Sequence, residues 1–242
     1  MRRVPPSLAR TLATLLACAM VLLACASGTP STSSIGSGDG SFPVGAAHPA
    51  PNHNTFSGCP SEGDGGDPQL NLYKNRTDDG ENGVFHDVSV ATILSLPWPQ
   101  TAGYARRSTW SDADTQAIAQ YEGVAVRASG YILQVKHEGT ESTNCHDTAN
   151  RDYHIWLAAN ANDDRSNAIV VEVTPRVLAQ RPGWQGTRLS SLVGTQVRIS
   201  GWLLFDQEHP DQVGQTRGTI FEIHPIIHIE VASGGAWSSY DS

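Results

Sequence analysis

The sequence predicts a mainly β fold: a small five-stranded barrel preceded by a short helical extension. Three observations carry that prediction. The first is an internal echo, in which VRASGYILQVKHE (Val126–Glu138) returns as VRISGWLLFDQEH (Val197–His209). Val, Arg, Ser and Gly recur at the same offset, and each Gly is followed by an aromatic residue, Tyr131 or Trp202. The second is alternation, since β-branched, aromatic and aliphatic residues take every other position in both copies and in three further segments. The third is order: three strand-like segments, one helical stretch, then two more strands.

The chain opens with MRRVPPSLARTLATLLACAMVLLACASG. Arg2, Arg3 and Arg10 give a positive start. The apolar run Thr11–Ala24 is too short to span a bilayer, so the segment reads as an export signal. Leu22-Leu23-Ala24-Cys25 resembles a bacterial lipobox, with Cys25 lipidated and exposed as the new N-terminus; an ordinary cleaved signal is the alternative. Leu15–Cys18 also fits but would leave a shorter apolar core. The expected address is the cell envelope, with the lipid in the membrane. Ala26, in place of Asp, matches outer-membrane sorting in a host with two membranes. Residues 1–25 are thus the signal. Residues 26–57, rich in Gly, Ser, Pro and Thr, read as a flexible tether, with His48 and His53 solvated.

Removing residues 1–25 takes away three arginines and no acid. It leaves 13 basic against 24 acidic side chains, a formal charge of −11. That balance argues against a nonspecific nucleic-acid binder, which needs a basic footprint, and it is compatible with cation binding. Cys59 and Cys145 are the cysteines left after the signal. In an oxidising compartment they are expected to form a disulfide.

Residues 58–123 read as a helical N-terminal extension. The acidic, Gly-rich stretch with Glu62, Asp64 and Asp67 does not match the calcium-loop spacing and reads as a turn-rich surface. In HDVSVATILSLPWP, Asp87 is expected to cap a short helix that breaks at Pro97 and Pro99, with Trp98 anchoring it. Ser111 to Asp114 resembles a capping box for a helix running to about Glu122 and stopping at Gly123.

Residues 124–233 hold the barrel. The strands are expected at Val124–His137, Tyr153–Ala158, Asn167–Thr174, Thr195–Phe205 and Arg217–Val231. A helical stretch starts at Pro175 and resumes at Thr187–Val193. Residues 234–242 read as a polar tail. The order β-β-β-α-β-β is that of the OB-fold, a Greek-key barrel carrying its helix between strands three and four, in which strands one and four pair. An SH3-like barrel fits the helix less well. The segments VVEVTPR, VRISGWLLFDQEHP and EIHP resemble a family of exported bacterial OB-fold-like proteins with no known activity. The resemblance covers roughly Cys59–Val231, and it implies a fold and no chemistry.

Alternation assigns Ile155, Leu157, Ile169, Val171, Val173, Phe221, Ile223, Ile227 and Ile229 to the barrel interior. The opposite parity holds His154, Trp156, Glu172, Glu222, His224 and His228, which are expected to lie outside the core. The loops after strands one and four hold Glu138, Glu141, His146 and Asp147, and Asp206, Glu208, His209 and Asp211. If His154, Glu172, His209 and His224 converge, imidazole with carboxylate suits zinc or a similar divalent ion. An open position on it could activate water, giving a metal-dependent hydrolase. The alternative is a polar outer face of mutually hydrogen-bonded side chains.

For recognition, Trp156 is the candidate for stacking a ring, with His146, Asp206 and Glu208 around it. The expected ligands are a small molecule, a saccharide or an envelope protein. A purely structural envelope role is the third reading. A staphylococcal-nuclease-like use of Arg127, Arg198 and Arg217 on phosphate is disfavoured, because two of them belong to the repeated strands. No G-x-S-x-G, HExxH, Walker or dinucleotide motif is present.

Overall fold

The computed structural model describes residues 41–51, 54–80 and 82–241, all within one unit, residues 33–242. Cys25, His53 and the export signal lie outside the described residues.

The two echo segments pair with each other. Strand β2 (Ala125–His137) runs antiparallel to β5 (Gln196–Phe205). The register lays the VRxSG repeat on itself in reverse. Val126 opposes Gly201, Arg127 opposes Ser200, Ser129 opposes Arg198 and Gly130 opposes Val197, with Ala128 and Ile199 at the local centre. A side chain at Gly130 would collide with the Ala158 carbonyl, and one at Gly201 with the Pro225 carbonyl. Both glycines therefore admit the backbone of the next strand where the sheet curls shut.

The remaining barrel strands are β3 (Tyr153–Ala158), β4 (Ala168–Val173) and β6 (Phe221–Ser233). Their order is β2-β3-β4-β6-β5, with β5 returning to β2. All neighbours are antiparallel except β4 and β6. This is the OB-fold: a closed five-stranded Greek-key barrel. Helix α4 (Pro175–Gln180) follows β4. It starts where Pro175 can spare its missing N–H and where the Thr174 hydroxyl accepts from the Val177 amide. After α5 (Thr187–Ser190) the chain enters β5. The apolar parity fills the barrel as the alternation requires: Ile155, Leu157, Ile169, Val171, Val173, Phe221, Ile223 and Ile229 are fully buried.

Outside the barrel the structure departs from the sequence expectations. Residues 58–123 are not simply helical. Between helix α1 (Pro68–Lys74) and helix α2 (Val90–Leu94) lies strand β1 (His86–Ser89), which joins β2 in parallel. Asp87 sits in that strand, and Ser89 caps α2 instead, its hydroxyl accepting from the Thr92 amide. Helix α3 (Asp112–Ile118) is capped by Ser111 as expected but ends before Glu122. Trp98 packs on Phe205, ring centres 5.9 Å apart.

Part of the segment read as a free tether is also folded down. Phe42 packs on Tyr121, the His48 amide donates to the Gly123 carbonyl, and Arg176 donates to the Asn54 carbonyl. The tail contributes β7 (Ala236–Ser239), paired with β6.

Candidate functional site

The outward parity of β3, β4 and β6 is where the fold places its chemistry. His154 on β3 stands directly opposite Glu172 on β4. On β6, which runs parallel to β4, Val170 faces Glu222, so His224 falls beside Glu172. Two-residue periodicity across three adjacent strands thus lines up imidazole, carboxylate and imidazole.

These side chains are buried, contrary to their expected exposure: Glu172 is 2% exposed, Glu222 1% and His224 0%. The chain itself covers them. From one side come α1 and the turn Ser142–Asn144, and the Cys59–Cys145 disulfide ties this layer together. Asn75 donates to the Ser61 and Thr143 carbonyls, and the Thr143 hydroxyl donates to Asn71. Lys74, at the last turn of α1, sends its buried ammonium to Glu208 at 3.0 Å. From the other side comes the loop after β5.

Under this cover runs a continuous polar chain. His209 Nδ1 lies 2.6 Å from Asp206 Oδ2. Arg217 Nη1 donates to that same oxygen at 2.8 Å and to Glu222 Oε1 at 2.5 Å. Glu222 Oε2 is 3.4 Å from His224 Nδ1, and Glu172 Oε2 is 3.2 Å from it. His154 Nε2 lies 2.6 Å from Glu172 Oε1, and its Nδ1 faces Glu138 Oε1 at 3.2 Å. Asp152, the residue before β3, is also fully buried and accepts from Asn144 at 2.9 Å.

Low polarity and like charge set the protonation of this chain. Burial, then the Asp206 and Arg217 charges acting in opposite senses, leaves the Glu222 carboxyl above its usual range. Burial and the Glu222 charge push Glu172 well up. Burial and Glu141 push Asp152 up to about 8. Burial holds His154 down at about 3, and burial with Lys74 holds His224 well below the usual imidazole range. Asp206 goes the other way: burial alone would raise it, but the His209 hydrogen bond, Arg217 and Lys74 outweigh that.

The sequence-derived candidates therefore divide. His154, Glu172 and His224 come together. His209 belongs to the same chain of contacts but stands at its outer end, on Asp206. Asp206 is buried in an ion pair, and Glu208 is half exposed on Lys74. His146 is on the surface, 60% exposed and 3.5 Å from Asp64.

Trp156 is not an open stacking platform. It is 5% exposed, packs with Ala158, Ala168, Val170 and Leu133, and donates to the Thr216 carbonyl at 2.6 Å. The three arginines that a nuclease-like phosphate site would use are also engaged, Arg198 by a bidentate pair with Glu230, Arg217 as above, and Arg127 within 3.8 Å of Asp87.

A second feature had no local signal in the sequence. A groove of about 590 Å³ opens over α1 and α3, lined by Leu72, Tyr73, Trp110 and Ile118 and by residues 47–50. In its wall Arg107 forms a two-pronged ion pair with Glu122 and lies against both rings, 4.9 Å from Trp110 and 5.3 Å from Tyr73.

The sequence matches no family model and no curated protein. Among solved structures it has a slight likeness to a chain in a crystal structure of yeast Stn1 and Ten1. The identity is 15%, the TM-score 0.28, and the match covers 46% of this chain and 43% of that one. So small a likeness bears no argument, and the OB assignment stands on strand order and register.

Proposed function

We propose that this chain is an exported OB-barrel module, held at the cell envelope by a lipid on Cys25, that binds a small ring-bearing ligand such as a saccharide. The observation that carries this reading is the aromatic groove over α1 and α3. It has two aromatic rings, apolar walls and a fixed ion pair, the composition expected of a small-ligand site. The usual OB face on β3 and β4 is closed by the chain's own residues, which moves recognition away from Trp156.

Export is supported by the lipobox-like Leu22–Cys25 and by the disulfide, which suits an oxidising compartment. Kinship with exported bacterial OB-like proteins belongs to the same proposal. The acidic balance disfavours nucleic acid as the ligand. A structural envelope role is favoured by one observation, the covered OB face. A metal-dependent hydrolase is not favoured. It needs an ion open to substrate, and Asp152, Glu172 and His224 are buried under the covering layer.

Two measurements test the reading. Cys25→Ser should release the protein from membranes on fractionation; unchanged membrane association would remove the lipid anchor. Saccharides of the envelope should perturb Trp fluorescence in the parent and much less in Trp110→Phe. A panel that leaves the parent unperturbed would turn the assignment toward the structural role.

A further inference from the structure

We infer that Asp152, Glu172 and His224 form a sealed site for one first-row divalent cation of the zinc or manganese class. The three residues come from different elements: the end of the loop after β2, the middle of β4, and β6. Each offers one ligand atom, and these atoms lie within 4.8 Å of one another. All three residues are at most 2% exposed.

Burial alone would not make a site, but their unused atoms do. Asp152 Oδ2 and His224 Nε2 are buried with no hydrogen-bond partner, and Glu172 Oε2, buried too, makes no hydrogen bond and has only the ion-pair approach of His224 Nδ1 at 3.2 Å. An unpartnered buried polar atom is costly, and two of them beside a carboxylate oxygen without a hydrogen bond call for something to bind.

The opposite atoms of the same groups are occupied. Asn144 donates to Asp152 Oδ1, His154 lies on Glu172 Oε1, and Glu222 stands beside His224 Nδ1. That is the arrangement of a ligand shell braced by an outer shell, which orients each donor before the ion arrives. The carboxylates of the surrounding chain also outnumber Lys74 and Arg217, its fixed cations, so a doubly charged ion would relieve mutual repulsion.

Donor chemistry narrows the ion. Two carboxylates with an imidazole suit zinc or manganese better than calcium, which takes oxygen ligands, or copper(I), which prefers sulfur. Bond lengths of about 2.0–2.2 Å put tetrahedral ligand atoms about 3.3–3.6 Å apart, so closing the shell needs side-chain movements of about 1 Å. Because the site is shut, the ion would brace β3, β4 and β6 against the covering loop and would not meet a substrate.

The purified full chain is stripped with a chelator and titrated separately with Zn²⁺ and Mn²⁺ by calorimetry, with metal content read by mass spectrometry. The expected result is about one equivalent of one ion per chain. Asp152→Asn or His224→Gln should lose that equivalent. His154→Ala should weaken uptake by about 10–100-fold, the cost usual for an outer-shell partner, and His209→Ala should leave it unchanged. A parent protein that takes up neither ion overturns the inference without reference to any variant. So does full uptake by Asp152→Asn and His224→Gln.

Discussion

Replacing Cys59 and Cys145 by serine should destabilise the protein chiefly through its unfolded state. The bridge closes a loop with a sequence separation of 86 residues. For a loop of that length, the chain-entropy relation gives roughly 15 cal/mol/K, or about 4–5 kcal/mol at 25 °C. A chain of this size loses about 2–4 °C of Tm per kcal/mol, so the pair of substitutions should lower Tm by about 8–20 °C.

The folded state should change little. The same two segments stay joined by Asn75 donating to Thr143, by Thr143 donating to Asn71, and by the Asp64 amide on the Ser142 carbonyl. The assay is urea and thermal unfolding of parent and double variant, with chelator present so that no bound cation masks the difference. Loss of a cross-link also enlarges the surface exposed on unfolding, so the urea m-value should rise. A Tm drop below about 3 °C with an unchanged m-value would refute the reasoning.

Gly201→Val should cost more than the ~0.5 kcal/mol of an ordinary surface change, read as a lower urea midpoint, because its branches meet the Pro225 carbonyl and the Ile223 side chain. Arg217→Ala should cost about 3–5 kcal/mol by the same assay, since it leaves Asp206 and Glu222 as buried carboxylates without their shared cation. For pH, the Asp206 hydrogen bond, against the opposing effect of burial and with help from the Asp206 and Glu222 charges against Arg217, raises the His209 pKa. The stability it adds is therefore full below the unfolded value of about 6.5 and is lost as pH rises through the folded value. Asp206, facing His209, Arg217 and Lys74, is depressed, so its share is full above about 3.9 and is lost as pH falls through its folded value. The gap in urea midpoint between parent and His209→Gln should accordingly be widest near pH 5 and shrink toward pH 8; a gap constant with pH would count against the pair.

What could be read from the sequence was what local periodicity encodes. Period-two alternation marked β3 to within a residue and placed Ile155, Val171 and Ile223 inside. The VRxSG echo identified the β2–β5 pair before any register was known. The alternation also put His154, Glu172 and His224 on one parity, which is why they could be grouped. The sense of their environment was lost, because whether an outer barrel face meets water depends on segments that pack across it from far along the chain. Asp152 has no local mark in a loop with several other polar residues; only its partner Asn144 and its burial set it apart. The cysteine pair held one further signal. A Cys59–Cys145 bridge anchors residues near 59 to the loop after β2, and that loop borders the OB face, so some cover over the face was implied. The Arg107–Glu122 pair and the groove beside it have no counterpart in any local pattern.

The parallel strand β1, the ammonium of Lys74 and the disulfide together redraw the limits of the smallest piece that can stand alone. Judged by strand pattern, a fragment of residues 124–233 holds every barrel strand. Such a fragment would present Glu172, Glu222 and His224 as a bare stripe of half-paired acid and imidazole. It would leave the edge of β2 open where His86–Ser89 now lies, and Cys145 with an unmated thiol. The five strands are the framework, but residues 59–76 and 86–89 are its lid and one of its walls. A boundary for expression, fusion or domain transplantation therefore belongs upstream of Phe42, whose ring already rests on Tyr121.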